Sequence, residues 1–144
     1  MRTVYFFDQK EEKKEQLPIL QSYPNGDTYL GNLDNEKRRQ GYGVYLSAST
    51  GSTYSGNFRS DKRHGYGILY HPKFGKYCGD FVDDMKWGQG SLILNDASTY
   101  IGGFVNNLFH GKGTLCERDG RTYVGYWKGG KRDGANMAVM DVHH

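Results

Sequence analysis

The sequence has no long apolar run and no stretch with the spacing of an amphipathic helix. Nothing in it approaches the length of a membrane-spanning helix. Met1-Arg-Thr-Val-Tyr-Phe-Phe-Asp8 holds an apolar segment far shorter than the core of a secretory signal, so the expectation is a soluble intracellular protein. Cysteine is scarce as well: Cys78 and Cys116 alone cannot build the disulfide framework of a small secreted domain. Apolar material is thin, with 36% hydrophobic residues in 144 and a mean hydropathy of −0.79. That argues against an ordinary globular core and for an array whose units bury their faces against neighbours. Net charge is +3 with a pI near 8.8, which permits contact with acidic surfaces but is too small to indicate nucleic acid.

Glycine and tyrosine are abundant instead, at 21 and 12 residues. The glycines show no triplet period, which excludes collagen, and their fixed places argue against a flexible linker. They recur in one frame: Tyr29…Gly31…Gly41-x-Gly43, Tyr54…Gly56…Gly65-x-Gly67, Tyr77…Gly79…Gly88-x-Gly90, Tyr100…Gly102…Gly111-x-Gly113 and Tyr123…Gly125…Gly134. Successive tyrosines lie 25, 23, 23 and 23 residues apart. Self-similarity at a fixed period in the twenties marks a repeat architecture.

Each unit reads as a β-hairpin. First strands are Thr28–Leu33, Thr53–Phe58, Lys76–Phe81, Thr99–Phe104 and Thr122–Trp127, with Tyr, Gly and an aromatic or Leu at i, i+2 and i+4 on one face. A polar loop such as Arg59–His64 follows, and the second strand begins at Gly-x-Gly. Pro24-Asn-Gly26, Ser49-Thr-Gly51, His71–Gly75, Asn95-Asp96 and Arg118-Asp-Gly120 are turn signals that close the units. Residues 1–23 fit a degenerate capping hairpin, with Val4–Phe7 and Ile19–Tyr23 as strands around the charged run Lys10–Glu15. Residues 24–144 form the five-hairpin array with an atypical last strand, Met137–Met140, whose edge is open. Cys78 and Cys116 then fall three strands apart, about 14 Å, beyond disulfide reach.

Tyr-x-Gly-x-Phe/Trp followed by His-Gly-x-Gly, fullest in Tyr54–Gly67 and Tyr100–Gly113 with His64 and His110, resembles the MORN (membrane occupation and recognition nexus) repeat. The resemblance covers residues 24–134. It implies an all-β fold: an elongated, twisted, single-layer antiparallel sheet of successive hairpins with a groove along one side. A non-catalytic role is implied too, as a cytoplasmic scaffold or protein-binding module in cytoskeletal, ciliary or membrane-apposed assemblies, with lipid binding as the alternative. Arg39-Gln40 and Met85-Lys-Trp87 depart from the family's Lys/Arg-x-His before Gly-x-Gly, and one extra loop residue follows Gly31. Twelve such strands would make a rod of about 55 Å, a length suited to a helix or extended peptide.

No catalytic set emerges. His64 and His110 stand two units apart, about 19 Å, and cannot share a metal. Gly-x-Gly precedes strands rather than helices, so it does not cradle phosphate, and no cofactor is expected. The aromatic row Tyr29, Tyr54, Phe58, Tyr77, Phe81, Tyr100, Phe104, Tyr123 and Trp127 is either core or the lining of a partner-binding groove, with Tyr42 and Tyr66 as lesser candidates for the same surface. A second row is basic: Arg39, Arg63, Lys86 and Arg132, reinforced by Lys37, Arg38, Lys62 and Lys131, read as one loop edge that either is simply solvated or meets an acidic protein or anionic lipid. Nucleic acid is set aside because aromatics and cations are expected on different features. The C-terminal edge either pairs with a second copy or is covered by the tail. The preferred reading is a scaffold that holds a helix or peptide in the aromatic groove; the alternative is a peripheral anchor on anionic membrane.

Overall fold

The computed structural model describes residues 17–134. Eleven strands follow one another in chain order, each antiparallel to the next, in one open sheet. They are β1 (Ile19–Ser22), β2 (Thr28–Leu33), β3 (Arg39–Leu46), β4 (Thr53–Arg59), β5 (Lys62–His71), β6 (Gly75–Val82), β7 (Met85–Leu94), β8 (Thr99–Val105), β9 (Leu108–Cys116), β10 (Thr122–Lys128) and β11 (Lys131–Arg132). The expected all-β single layer is therefore found, and the first strands lie where the Tyr-x-Gly frame puts them. Of the capping hairpin, β1 pairs with β2; its partner stretch Val4–Phe7 and the terminal Met137–Met140 lie outside the described residues. Both cysteines are free thiols.

The second strands start earlier than expected. Arg59–His64 is not a loop: only Ser60 and Asp61 turn, and Arg59 pairs with Lys62. Equivalent two-residue turns are Asp83-Asp84, Asn106-Asn107 and Gly129-Gly130, every one with positive φ at both positions. This is the turn whose twist matches a hairpin, and Asp, Asn and Gly are the residues that tolerate it. Only the first unit has a longer connection, between Leu33 and Arg39.

Glycine does two different jobs in Gly-x-Gly. The first, such as Gly111 with φ +72, sits in open space where the register shifts between Gly102 and Phe104. A bulge of this kind needs a left-handed residue. The second, Gly113, faces Gly102 and Gly125 across the sheet, and a Cβ there would land in the Tyr100 ring. The tyrosine thus lies flat across a track of glycines, and its hydroxyl donates to the Gly103 carbonyl at 2.8 Å. Tyr29, Tyr54, Tyr77 and Tyr123 repeat the bond to Asn32, Asn57, Asp80 and Tyr126.

Rings then interlock along the sheet. Phe81 meets Tyr54 at 5.3 Å and Tyr77 at 5.1 Å, edge to face in both cases. Phe104 does the same to Tyr77 and Tyr100, and Trp127 to Tyr100 and Tyr123. Each such contact contributes about 0.5–1.5 kcal/mol beyond the area it buries. This ladder is the core, and it ties every unit to the next.

Candidate functional site

Alternation along strands and pairing across them sort the side chains into two faces. On the ladder face stand the five tyrosines with Phe58, Phe81, Phe104 and Trp127, all buried. At 0 to 6% exposure these nine rings present almost no surface of their own. What remains accessible on that face is the half-buried layer packed against them, including Leu33, Tyr45, Leu69, Leu92, Phe109 and Leu115.

Tyr42 and Tyr66 are not on that surface. Each neighbours a ladder-face glycine in sequence and so points the other way, opposite Asn57 and Asp80. They are 63% and 55% exposed and share the opposite face with Leu30, Leu46, Tyr70, Ile93, Ile101 and Tyr126.

The basic row is likewise not a loop edge. Arg39 pairs with Leu33, Arg63 with Phe58, Lys86 with Phe81 and Arg132 with Trp127, so these four stand on the ladder face. Cations and aromatics, expected on different features, are in contact. The Arg39 guanidinium lies 4.7 Å from the Tyr45 ring centre and 5.3 Å from that of Phe58. Arg63 is 5.0 Å from Phe81, Lys86 5.5 Å from Tyr77, and Arg132 4.3 Å from Tyr123. Arg38 keeps the loop position expected of it and bonds Asp34, while Lys62 and Lys131 are exposed beside the turns.

Hairpin turns dock on this row. The second turn residue of each unit hydrogen-bonds the strand of the unit before it. Asp61 N donates to the Arg39 carbonyl, and Asp61 Oδ1 accepts from Arg39 N at 3.0 Å and from Nε at 2.7 Å. Asp84 does the same for Arg63, at 2.8 and 3.3 Å. Asn107 reproduces the backbone part at Lys86, with Oδ1 accepting from Lys86 N at 2.8 Å. Gly130 keeps only its backbone bond, to Phe109. Paired with carboxylates, Arg39 and Arg63 do not form the strip of free cations that a phosphate backbone requires.

His64 lies within β5, and its Nδ1 accepts from Asp83 N at 3.4 Å, which makes it a turn cap. Among the described residues no group of three or more His, Cys, Asp or Glu side chains is arranged to hold a metal ion, and no helix is long and apolar enough to cross a membrane.

Among the described residues, two of the recesses lie over ladder rings. One, of about 320 Å³, runs between the Arg39–Asp61 and Arg63–Asp84 pairs over Tyr54 and Phe58, with Tyr45 and Ser52 on its rim. The other, of about 130 Å³, lies over Tyr77 between Leu69, Leu92, Phe74 and Lys86. The sequence pattern did not single out Tyr45, Leu69, Leu92 or Ser52; the signal was that the first three stand two residues after the ladder glycines Gly43, Gly67 and Gly90, and Ser52 two residues before the ladder tyrosine Tyr54.

The family model described as the MORN repeat matches residues 35–52, 54–75, 77–99, 100–120 and 123–135. Curated proteins give no match. Among solved structures that match is the TCP domain of SAS-4 (dCPAP) of Drosophila melanogaster, in complex with a proline-rich motif of Ana2 (dSTIL). It is 20% identical, with a TM-score of 0.49, over 76% of this chain and 60% of that one.

Proposed function

The chain belongs to the MORN repeat family, generally a non-catalytic repeat module, and on that premise we propose that it is a protein-binding scaffold which takes a helix or extended peptide across its ladder face. The observation that carries this reading is the recess over Tyr54 and Phe58. Its floor is a rigid aromatic core and its walls are two arginines already fixed by Asp61 and Asp84. A surface whose side chains are held in place before binding loses little conformational freedom on association. Arginine and aromatic groups are also those that dominate binding energy where they are well packed. Because the ladder rings are buried, the partner would meet their upper layer, Tyr45, Leu69 and Leu92, rather than the rings themselves.

The opposing idea, a basic edge on anionic membrane, draws less support, since three of its four main cations lie within ion-pair distance of carboxylates: Arg39 of Asp61, Arg63 of Asp84 and Arg132 of Glu117. A library of displayed peptides selected on the immobilised protein tests the proposal. Ser52→Trp fills the recess from its rim without replacing any ladder residue and should abolish binding of the selected peptides. Lys112→Trp, on the opposite face, should leave it intact. Selected peptides indifferent to Ser52→Trp, or vesicles of anionic lipid binding in place of any peptide, would overturn it.

A further inference from the structure

Two departures from the repeat meet at one place on the ladder face. In the first two complete units the cation on the second strand is an arginine whose head is neutralised by the aspartate of the next turn, Arg39 by Asp61 and Arg63 by Asp84. In the third it is Lys86, and the turn offers Asn107. Asn107 keeps the bond to the backbone that the aspartates make, so the structural job of the turn is preserved and only the charge is gone. Among the described residues no carboxylate lies within ion-pair distance of the Lys86 ammonium. Its neighbour Arg63 is a second cation, and burial together with that charge holds its pKa below the ordinary lysine value.

The second departure is Phe74, a ring in the turn that closes β5 on β6. It packs 4.6 Å from His71 and is 61% exposed. His71 Nδ1 accepts from Lys73 N at 3.0 Å, which fixes the turn. Phe74, Leu69 and Leu92 wall a recess floored by Tyr77, with Lys86 among its lining residues. In the fourth unit the corresponding space is closed, since Phe109 replaces the cation and stacks on Tyr100 at 3.7 Å.

We propose that this recess is a side-chain pocket for a carboxylate carried on an apolar body: a glutamate or aspartate of the bound segment, or the terminal carboxylate of an apolar residue. The argument is charge complementarity. A partly desolvated ammonium without a counter-ion is costly, and the ligand would supply the anion that Asp61 and Asp84 supply within the chain elsewhere. Apolar walls strengthen the pairing by excluding water. This assignment rests on the ladder face being where a segment binds.

The test uses short peptides as probes, followed by NMR of the protein with its lysines isotopically dimethylated. One peptide is acetyl-Leu-Glu-Leu-amide, a second is acetyl-Ala-Leu with a free carboxylate, and their controls carry glutamine or a terminal amide. A carboxylate peptide should shift the Lys86 signal and bind about tenfold more tightly than its neutral twin, the order expected of one charge-assisted contact. Which of the two peptides does so tells an internal acidic residue from a chain end. Lys86→Met should erase the difference. Asn107→Asp, which restores the pairing of the other units and retains the turn, should erase it too. Equal binding of charged and neutral peptides, no binding at millimolar concentration, or discrimination that survives Asn107→Asp would overturn the pocket. None of these results would touch the recess at Ser52, so failure of the pocket is distinguishable from failure of the scaffold reading.

Discussion

Replacing Gly113 by alanine adds one methyl group at the centre of the sheet, and the geometry says where it goes. The new Cβ would coincide with the space of the Tyr100 hydroxyl, 2.5 Å from its Cζ and 2.6 Å from one ring Cε. Tyr100 cannot step aside. It is 1% exposed, stacked on Phe109, and held edge to face by Phe104 and Trp127. Overpacking a close-packed core in this way costs about 1–3 kcal/mol, and displacement of the ring also breaks the 2.8 Å bond from its hydroxyl to Gly103, worth about 1 kcal/mol. The expected loss is therefore about 3 kcal/mol.

Gly111→Ala is the comparison. Nothing lies within 4 Å of its Cβ, so only the φ of +72 is paid for, about 1–2 kcal/mol. Tyr100→Phe alone should cost about 1 kcal/mol. In the double variant Tyr100→Phe/Gly113→Ala that bond is already lost, so the total should fall short of the sum of the singles by about 1 kcal/mol. Urea unfolding with a constant slope measures all four. A loss below about 1 kcal/mol for Gly113→Ala, or strict additivity of the pair, would refute the seating of the ring on the glycine.

Three further outcomes follow from the same core. Burial pushes the hydroxyls of Tyr54 and Tyr100 up to about 12, so the stability they contribute is complete below the free phenol value near 10 and is lost as pH rises through about 12. Tyrosinate absorbance should therefore show a fraction of the 12 tyrosines ionising only as the β-sheet circular dichroism collapses, and ionisation of all of them with the sheet intact would contradict this. Asp27 is held below the usual carboxylate range by the Tyr45 hydroxyl and then by Ala48 N, so its contribution is present above about pH 4 and lost as pH falls through the depressed value. Asp27→Asn should flatten the acid limb of melting temperature against pH, and an unchanged limb would count against the assignment. Phe104→Ala should cost about 3–5 kcal/mol, whereas Ile101→Ser, on the opposite face and 64% exposed, should cost less than about 1 kcal/mol; comparable losses in chemical denaturation would mean the two faces have been exchanged.

The period of Tyr-x-Gly-x-Phe was enough to read the hairpin order, the first strands and the row of rings, because those residues repeat at every unit and alternate within a strand. It did not settle which of two uses the rings have; burial by the neighbouring unit does, and that depends on how closely successive glycine tracks let the rings approach. The basic row was misplaced for a definite reason. Arg59–His64 looks like a loop by composition, yet Ser60-Asp61 is a complete turn, so Phe58 and Arg63 stand opposite each other. The recurrence of Asp-Asp, Asn-Asn and Gly-Gly at that place was the available clue, since these residues accept positive φ at both central positions. Tyr42 and Tyr66 were misplaced by one residue of alternation: a side chain next to a ladder glycine must face away from the ladder.

A repeat of this kind divides its residues between two purposes by a simple criterion. Tyrosine, both inward glycines, the following aromatic and the turn pair are consumed by the fold, since each is bonded or packed to the next unit and none can vary without cost. Positions above that layer are free to differ, and their differences distinguish one unit from another. Arg39 and Arg63 are matched within the chain, Phe109 fills its own space, and Gly129-Gly130 offers no side chain at all. Among the described residues, Lys86 is the cation of the row whose turn partner is a neutral residue of the same shape as aspartate. An exchange that leaves the hydrogen bond to the backbone at 2.8 Å and deletes only a charge has no structural benefit that the fold itself can account for. Selectivity among acidic and neutral partners is the consequence proposed for it, and it would fall on the part of the ladder face where, among the described residues, Phe74 adds a wall to the recess.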